Sequence, residues 1–197
     1  MGMLDGINRI AKFEKISFEQ YRKDFIDTFV KTYDDGLFEL LDLNLPQIKG
    51  SMNLENIMRT IYDSIKLPKR ATCGSAGYDF FMPIKTTIGV DKSVKIPTGI
   101  RCKMENGWVL TEFPRSGHGF KYGIHMANSV GIIDGDYYSS DNEGHIFIKL
   151  VNDSILAKPL TIKAGEAFCQ GIFLPYGITY DDNVTKIRNG GLGSTSK

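Results

Sequence analysis

The pattern of apolar residues changes about a third of the way along the chain. In the first third, aromatic residues recur at helical spacing, at Phe18, Tyr21, Phe25, Phe29 and Tyr33. From Tyr78 onward, short apolar runs alternate with turn residues roughly every 8 to 12 positions, a spacing typical of an all-β sandwich or barrel. No periodic helix separates these runs, which argues against a doubly wound α/β fold. The sequence therefore predicts a mainly β body with a helical N-terminal segment.

The N-terminal third is expected to form two or three helices that pack on the β body. Ser17 followed by Gln20 matches a capping box, and the helix that it opens is expected to run to Gly36. A second helix is expected behind a cap at Asn53. Its apolar face is formed by Leu54, Ile57, Met58, Ile61 and Ile65.

Turn residues predict how the strands of the body are joined. Asn106-Gly107 lies between the apolar runs Ile100–Met104 and Trp108–Phe113, a signal for a two-residue hairpin. Gly165-Glu166 predicts a further turn before a strand over Ala167–Leu174.

Composition excludes several classes of protein. The 197 residues include 24 Lys and Arg against 23 Asp and Glu, so the chain lacks the broad basic field that binding to long nucleic acid requires. No apolar run approaches the ~20 residues that cross a bilayer, and the N-terminus lacks a signal-peptide pattern. Three cysteines without metal-ligand spacing indicate reduced thiols, with Cys169 in the core. We therefore expect a cytoplasmic protein with neither a membrane nor a long nucleic acid as partner.

Residues 128 to 137 place an amide, a carboxylate and a phenol at fixed offsets along an apolar run. Asn128 can read a base edge through paired donors and acceptors, and Asp134 can take a proton from water as a general base. Tyr137 can present a flat face to a sugar or a base. Taken alone, the same residues could be a turn carboxylate and a surface aromatic. The combination nevertheless suits a nucleotide pocket.

Four other short segments complete a pattern. They are Ala76-Gly77-Tyr78-Asp79-Phe80, Pro114-Arg115-Ser116-Gly117, Gly165-Glu166-Ala167-Phe168-Cys169-Gln170 and Arg188-Asn189-Gly190-Gly191-Leu192-Gly193-Ser194-Thr195. In this order and spacing, together with residues 128 to 137, they resemble the five motifs of the trimeric dUTP diphosphatase (dUTPase) family. The resemblance covers residues 67 to 196.

The resemblance implies a jelly-roll body of the β-clip type and a homotrimer with active sites at subunit boundaries. It divides the chain into an N-terminal strand with a helical extension at 1–66, a β body at 67–180 and a C-terminal active-site tail at 181–197. The glycine-rich tail is expected to be mobile when the site is empty. It is not a P-loop, because the Lys before Ser/Thr is absent.

The resemblance also implies a reaction, in which dUTP is hydrolysed to dUMP and pyrophosphate with Mg²⁺ as cofactor. Asp134 matches the aspartate that activates the attacking water, and Tyr137 the residue that leaves no room for a 2′-hydroxyl. Asp79 matches a residue that acts on Mg²⁺ through water. The substrate-binding residues implied are Arg115, Ser116, Gly117, Asn128, Ile132, Ile133, Tyr137, Phe147, Gln170, Arg188 and Leu192. For Arg115 to Gly117 an ordinary turn is the simpler alternative, and for Asp79 a polar strand end.

Two features depart from the commonest family pattern. Leu192 stands where most relatives have Phe, and leucine cannot stack on a base as an aromatic does. Residues 138 to 143 lengthen the connection after Tyr137, with the next strand expected over His145 to Phe147. The alternatives are a related dCTP deaminase, or a dUTPase-like body that binds a regulatory protein partner through its helices or its tail.

Overall fold

The computed structural model describes residue 6 and residues 8–30, 54–153, 156–186 and 188–190. In the N-terminal extension, strand β1 (Ala11–Lys15) precedes helix α1 (Phe18–Phe25), and helix α2 (Leu54–Ser64) follows later. The strands of the body are β2 (Lys69–Arg70), β3 (Tyr78–Phe81), β4 (Thr86–Ile88), β5 (Ser93–Pro97), β6 (Ile100–Met104), β7 (Trp108–Pro114), β8 (Ile124–Met126), β9 (Gly131–Ile133), β10 (Phe147–Asn152), β11 (Leu160–Ile162) and β12 (Ala167–Pro175). Helix α3 (Ser116–Tyr122) lies between β7 and β8, and a 3₁₀ helix (Gly135–Ser139) follows β9.

The strands form one five-stranded sheet and several smaller ones. The large sheet has the order β2-β3-β12-β7-β9, and a three-stranded sheet has the order β5-β10-β8. β1 pairs with β6, and β11 pairs with β4. Each of these pairings is antiparallel. The mainly β prediction with an added N-terminal helical segment is confirmed.

The extension shares one apolar core with the body. Tyr21 and Phe25 of α1 and Met58 of α2 are buried in the same cluster as Ile96 and Ile148 of the body. Gly99 allows this close approach, because a Cβ atom there would lie 3.3 Å from the Tyr21 ring, and its φ of +73° suits glycine. The extension is therefore packed into the body.

Part of the helix prediction is confirmed and part is corrected. Ser17 caps α1, and its hydroxyl accepts a hydrogen bond from the Gln20 amide at 3.2 Å. The reciprocal half of the capping box is not formed, because the Gln20 side chain donates to Asp24 instead. The α-helix ends at Phe25 and continues as a π-helix over Ile26–Val30. The predicted end at Gly36 and the Asn53 cap lie outside the described residues.

Three predictions for the body are corrected. The turn at Asn106-Gly107 does not join a hairpin, because β6 pairs with β1 while β7 pairs with β12 and β9. The body is interrupted by α3 and by the 3₁₀ helix, where only strands and turns were expected. The strand expected over His145 to Phe147 begins at Phe147.

The predicted turn at Gly165, the strand that follows it and the buried position of Cys169 are confirmed. Gly165 turns the chain with a φ of +75°, and β12 follows from Ala167. Cys169 is buried, and the three cysteines are free thiols. Among the described helices, none has the length and apolar character needed to cross a membrane.

Candidate active site

Three of the predicted site residues meet on the large sheet. Gln170 of β12 lies opposite Asp79 of β3 on one side and Phe113 of β7 on the other. Arg115 follows β7 directly, and its Nε lies 3.5 Å from Oδ1 of Asp79. The Asp79 side chain is 19% exposed and that of Arg115 is 45% exposed. The sheet register thus assembles Asp79, Arg115 and Gln170 into one cluster, which we call the Arg115 cluster.

The backbone around the Arg115 cluster leaves room for a ligand. Ser116 and Gly117 are exposed and begin α3, so their amide groups are first-turn groups without intrahelical acceptors. Gly77 makes space for the Gln170 side chain, since a Cβ atom there would lie 2.8 Å from Gln170 Oε1. Burial lowers the pKa of His118, so its imidazole adds no positive charge at neutral pH.

A second group of predicted residues lies at the end of β9. Asp134 follows this strand, and its side chain is 43% exposed. The strand ends at Ile133, and Gly135–Ser139 turn into the 3₁₀ helix. That turn carries Tyr137 into the protein, where the residue is only 6% exposed. Burial raises the pKa of Tyr137, so the phenol keeps its proton.

Arg188 of the tail contacts this second group. The Arg188 guanidinium pairs with the Asp134 carboxylate, and its Nε lies 3.4 Å from Asp136 Oδ1. The guanidinium carbon also lies 5.9 Å from the centre of the Tyr137 ring. The side-chain amide nitrogen of Asn189 donates hydrogen bonds to the two carboxylate oxygens of Asp141, at 2.6 and 2.9 Å. We call this set of Asp134, Tyr137 and Arg188 the Asp134 cluster.

The other predicted binding residues surround these clusters less closely. Asn128 is exposed in the turn after β8, where Ser129 has a φ of +64°. Ile132 has an exposed side chain on β9, and Ile133 is partly buried beside it. The Phe147 ring packs on His145, with ring centres 4.3 Å apart. Leu192 lies outside the described residues.

The Arg115 cluster and the Asp134 cluster are far apart within one chain. Ile133 lies opposite Leu110 of β7, and Gln170 lies opposite Phe113. Because β9 is antiparallel to β7, Asp134 lies beyond Leu110, on the side away from Arg115. Counting about 3.3 Å per residue along β7, the two positions are separated by roughly 20 Å. One chain therefore does not bring all the predicted site residues together.

Three buried polar residues were missed by the sequence reasoning. Glu112 of β7 is buried, and burial raises the pKa of its carboxyl to about 8. A Cβ atom at Gly131 would lie 2.7 Å from Glu112 Oε2, so glycine provides the space for this carboxyl. Asp24 and His145 form a buried pair with Oδ2 and Nδ1 2.6 Å apart. For Glu112 the available signal was a charged residue inside an apolar run, whereas Asp24 and His145 do not lie inside such a run.

Comparisons with known proteins agree with the motif pattern. The dUTPase family model matches residues 63–196. The deoxyuridine 5′-triphosphate nucleotidohydrolase of Lactococcus lactis is 40% identical over 134 residues, which cover 66% of this chain and 88% of that protein.

Two solved structures show the same fold. The dUTPase from Streptococcus mutans, 40% identical, superposes with a TM-score of 0.53 over 59% of this chain and 90% of that one. A mutant dUTPase from phage phi11 of S. aureus, described as coordinating a structural Mg(II) ion, is 18% identical and gives a TM-score of 0.51 over 63% of this chain and 92% of that one. The family match and the similarity to named nucleotidohydrolases show that this chain belongs to the dUTPase family and is a dUTP nucleotidohydrolase.

Proposed function

We propose that the chain hydrolyses dUTP to dUMP and pyrophosphate at sites shared between subunits of a homotrimer. The observation that carries this proposal is the separation of roughly 20 Å between the Asp134 and Arg115 clusters. Adjacent phosphates of a single nucleotide cannot contact both clusters of one chain. A neighbouring chain must supply the second cluster, and closed homo-oligomers do this by symmetry.

In the proposed mechanism, Asp134 accepts a proton from the water that attacks the α-phosphorus. Its carboxylate is partly exposed at a strand end, where substrate and water can reach it. Pyrophosphate leaves in line with the attack, and no covalent intermediate forms. Tyr137 lies three residues on and would pack under the deoxyribose, while Asn128 would read the uracil edge.

The Arg115 cluster is proposed to hold the phosphate chain. Arg115 offers a fork of donors to phosphate oxygens, Ser116 offers a hydroxyl, and Gly117 lets a phosphate approach the backbone. Gln170 lies next to Asp79 in the sheet register and supports this site. Arg188 would bind the γ-phosphate, which requires it to leave Asp134. Because the triphosphate chain carries more negative charge than the Asp134 and Asp136 carboxylates together, it can compete for this guanidinium.

Mg²⁺ is the cofactor that we propose. In the described part of the chain, no group of three or more His, Cys, Asp or Glu side chains could hold a metal ion. Mg²⁺ is commonly bound by one or two carboxylates together with substrate phosphates, and it keeps several waters. The partly exposed Asp79 carboxylate fits such an ion through a water. When bound, the ion would neutralise charge on the phosphate chain.

Complementation between two inactive variants tests the shared site. Asp134→Asn and Arg115→Ala should each lose activity as pure proteins. After co-refolding in equal amounts, about a quarter of the sites should combine an intact Asp134 from one chain with an intact Arg115 from another. Pyrophosphate release from dUTP would measure the recovery. If the mixture stays as inactive as its parents while the oligomers exchange subunits, the site is complete within one chain.

Parallel incubation of the unmodified protein with dUTP and with dCTP tests the reaction itself. Pyrophosphate from dUTP is expected. Ammonia from dCTP would instead support the deaminase alternative.

A further inference from the structure

The N-terminal extension contacts the loop that follows Tyr137. Helix α1 lies outside residues 63–196, the part of the chain that matches the family model. Asp24 in its second turn is buried and pairs with the fully buried His145, with Oδ2 and Nδ1 2.6 Å apart. At the start of the helix, the Ser17 amide and hydroxyl donate to the Glu143 carboxylate at 2.7 and 2.5 Å. The extension thus binds the loop at two points.

Both ring nitrogens of His145 are committed. The Gly99 amide donates to Nε2 at 2.8 Å, so Nε2 carries no proton and Nδ1 donates to Asp24. Burial lowers the pKa of His145, and the Asp24 carboxylate opposes this shift only in part, which keeps the ring neutral. Gln20 donates a further hydrogen bond to Asp24 at 2.9 Å and fixes that carboxylate. The orientation of His145 is therefore set by α1 on one side and by the body on the other.

The same residue holds Tyr137 through its backbone. The Tyr137 hydroxyl donates to the His145 carbonyl oxygen at 2.6 Å and accepts from the side-chain Nδ2 of Asn142 at 2.7 Å. Between these residues the chain turns tightly, with positive φ at Glu143 and Gly144. A Cβ atom at Gly144 would lie 2.7 Å from the Tyr137 carbonyl oxygen. Because the loop packs so closely on Tyr137, a shift of His145 must move the phenol.

We propose that α1 positions Tyr137 through the Asp24–His145 pair and thereby sets the discrimination between dUTP and UTP. This inference rests on the proposed role of Tyr137 at the sugar. Asp24 and His145 are positioning residues, since neither one touches the substrate. Their loss leaves the Asp134 carboxylate in place, so the effect falls on sugar selection and KM more than on kcat.

Replacing Asp24 tests the proposal. In Asp24→Ala the Nδ1–H of His145 loses its acceptor, and the ratio of kcat/KM for dUTP over that for UTP should fall about two- to tenfold, the size of one hydrogen bond. Asp24→Asn keeps an acceptor oxygen and should restore most of the ratio. Tyr137→Phe removes the hydroxyl that donates to the His145 carbonyl and accepts from the Asn142 side chain, so it tests the same link from its other end. Its ratio should fall in the same direction.

A matched control separates positioning from general loss of stability. Ile61 is buried in α2 and carries no polar group, so Ile61→Val and Ile61→Ala lower the melting temperature by two different amounts. Both should keep the parental dUTP/UTP ratio. A ratio that follows the melting temperature across all of these variants, or that is unchanged in both Asp24→Ala and Tyr137→Phe, overturns the proposal.

Amide hydrogen exchange gives a readout that does not depend on activity. Peptides covering residues 138–146 should exchange faster in Asp24→Ala than in the parent and in Ile61→Val. Unchanged exchange there overturns the positioning role of Asp24. If the parent released no pyrophosphate from dUTP, the proposed function would fail, and the exchange result would still decide whether α1 fixes the loop.

Discussion

The Arg115 cluster and the Asp24–His145 pair each hold an aspartate, against an exposed cation in the first and against a buried neutral ring in the second. The exposed Arg115 lies 3.5 Å from the partly buried Asp79, so water screens their attraction and a ligand can reach the guanidinium. Asp24 and His145 lie 2.6 Å apart inside the protein, and the Asp24 carboxylate accepts the Nδ1–H of the fully buried His145 ring. Substitutions in the first setting should alter chemistry with little change in stability. Substitutions in the second setting should alter stability, and chemistry only through position.

Asp134→Asn should have the largest effect on turnover. Its side chain is partly exposed, like that of Arg115. The amide has the shape of the carboxylate but cannot accept a proton from water, so kcat should fall by about 10²–10⁴. The ion pair with Arg188 is partly exposed, and its loss should cost at most about 1 kcal/mol of stability. Steady-state kinetics and calorimetric titration with a non-hydrolysable dUTP analogue would measure turnover and binding separately.

Asp136→Asn is the matched control for this prediction. Asp136 is equally exposed and also contacts Arg188, but it lies on the 3₁₀ helix and has no proposed role in the reaction. Its turnover should stay near that of the parent. Near-normal turnover of Asp134→Asn, or an equal loss in both variants, would remove Asp134 from the role of general base.

The two settings also differ in how far the sequence predicts them. Asp79, Arg115 and Gln170 lie in short motifs, and antiparallel register alone brings those motifs together. Asp24 and His145 are 121 positions apart, and no local pattern links a helical Asp to a His in a distant loop. Asn106-Gly107 shows the same limit, since the dipeptide predicts a turn but cannot say that β6 pairs with β1 instead of β7. Local chemistry is thus readable from sequence, whereas pairing at long range is decided by packing.

Glu112→Gln should have an intermediate effect on the free energy of unfolding, and this effect depends on pH. Burial raises the pKa of this carboxyl from 4.5 to about 8, so between these values the folded chain keeps a proton that the unfolded chain releases. Stability must therefore fall as pH rises through this window, by up to about 1.4 kcal/mol per pH unit, and then level off above it. The Gln variant has no such proton and should be more stable than the parent at pH 9.

Urea unfolding at pH 5, 7 and 9 measures this dependence. Glu105→Gln, the same substitution at an exposed position, should leave the pH profile unchanged. If the parent and Glu112→Gln lose stability in parallel between pH 5 and 9, the buried carboxyl is not the group that titrates.

Ser17→Ala should have the smallest effect on stability and on the loop, because it removes only the two hydrogen bonds of one hydroxyl. The hydroxyl caps α1 by accepting from the Gln20 amide and also donates to Glu143. Loss of an N-cap typically costs about 0.5–2 kcal/mol, whereas glycine at the cap costs only a few tenths. Ser17→Gly should therefore keep most of the helix stability while it still loses the hydroxyl contact with Glu143.

Ser64→Ala, which removes a hydroxyl bonded to the Ile61 carbonyl at the end of α2, is the control for hydroxyl loss in the extension. Thermal unfolding should rank Ser17→Ala below Ser17→Gly, and amide exchange at residues 138–146 should rise in both but not in Ser64→Ala. Slow exchange in Ser17→Gly would show that the Ser17 hydroxyl acts only as a helix cap, and that Asp24 carries the link between the extension and the loop.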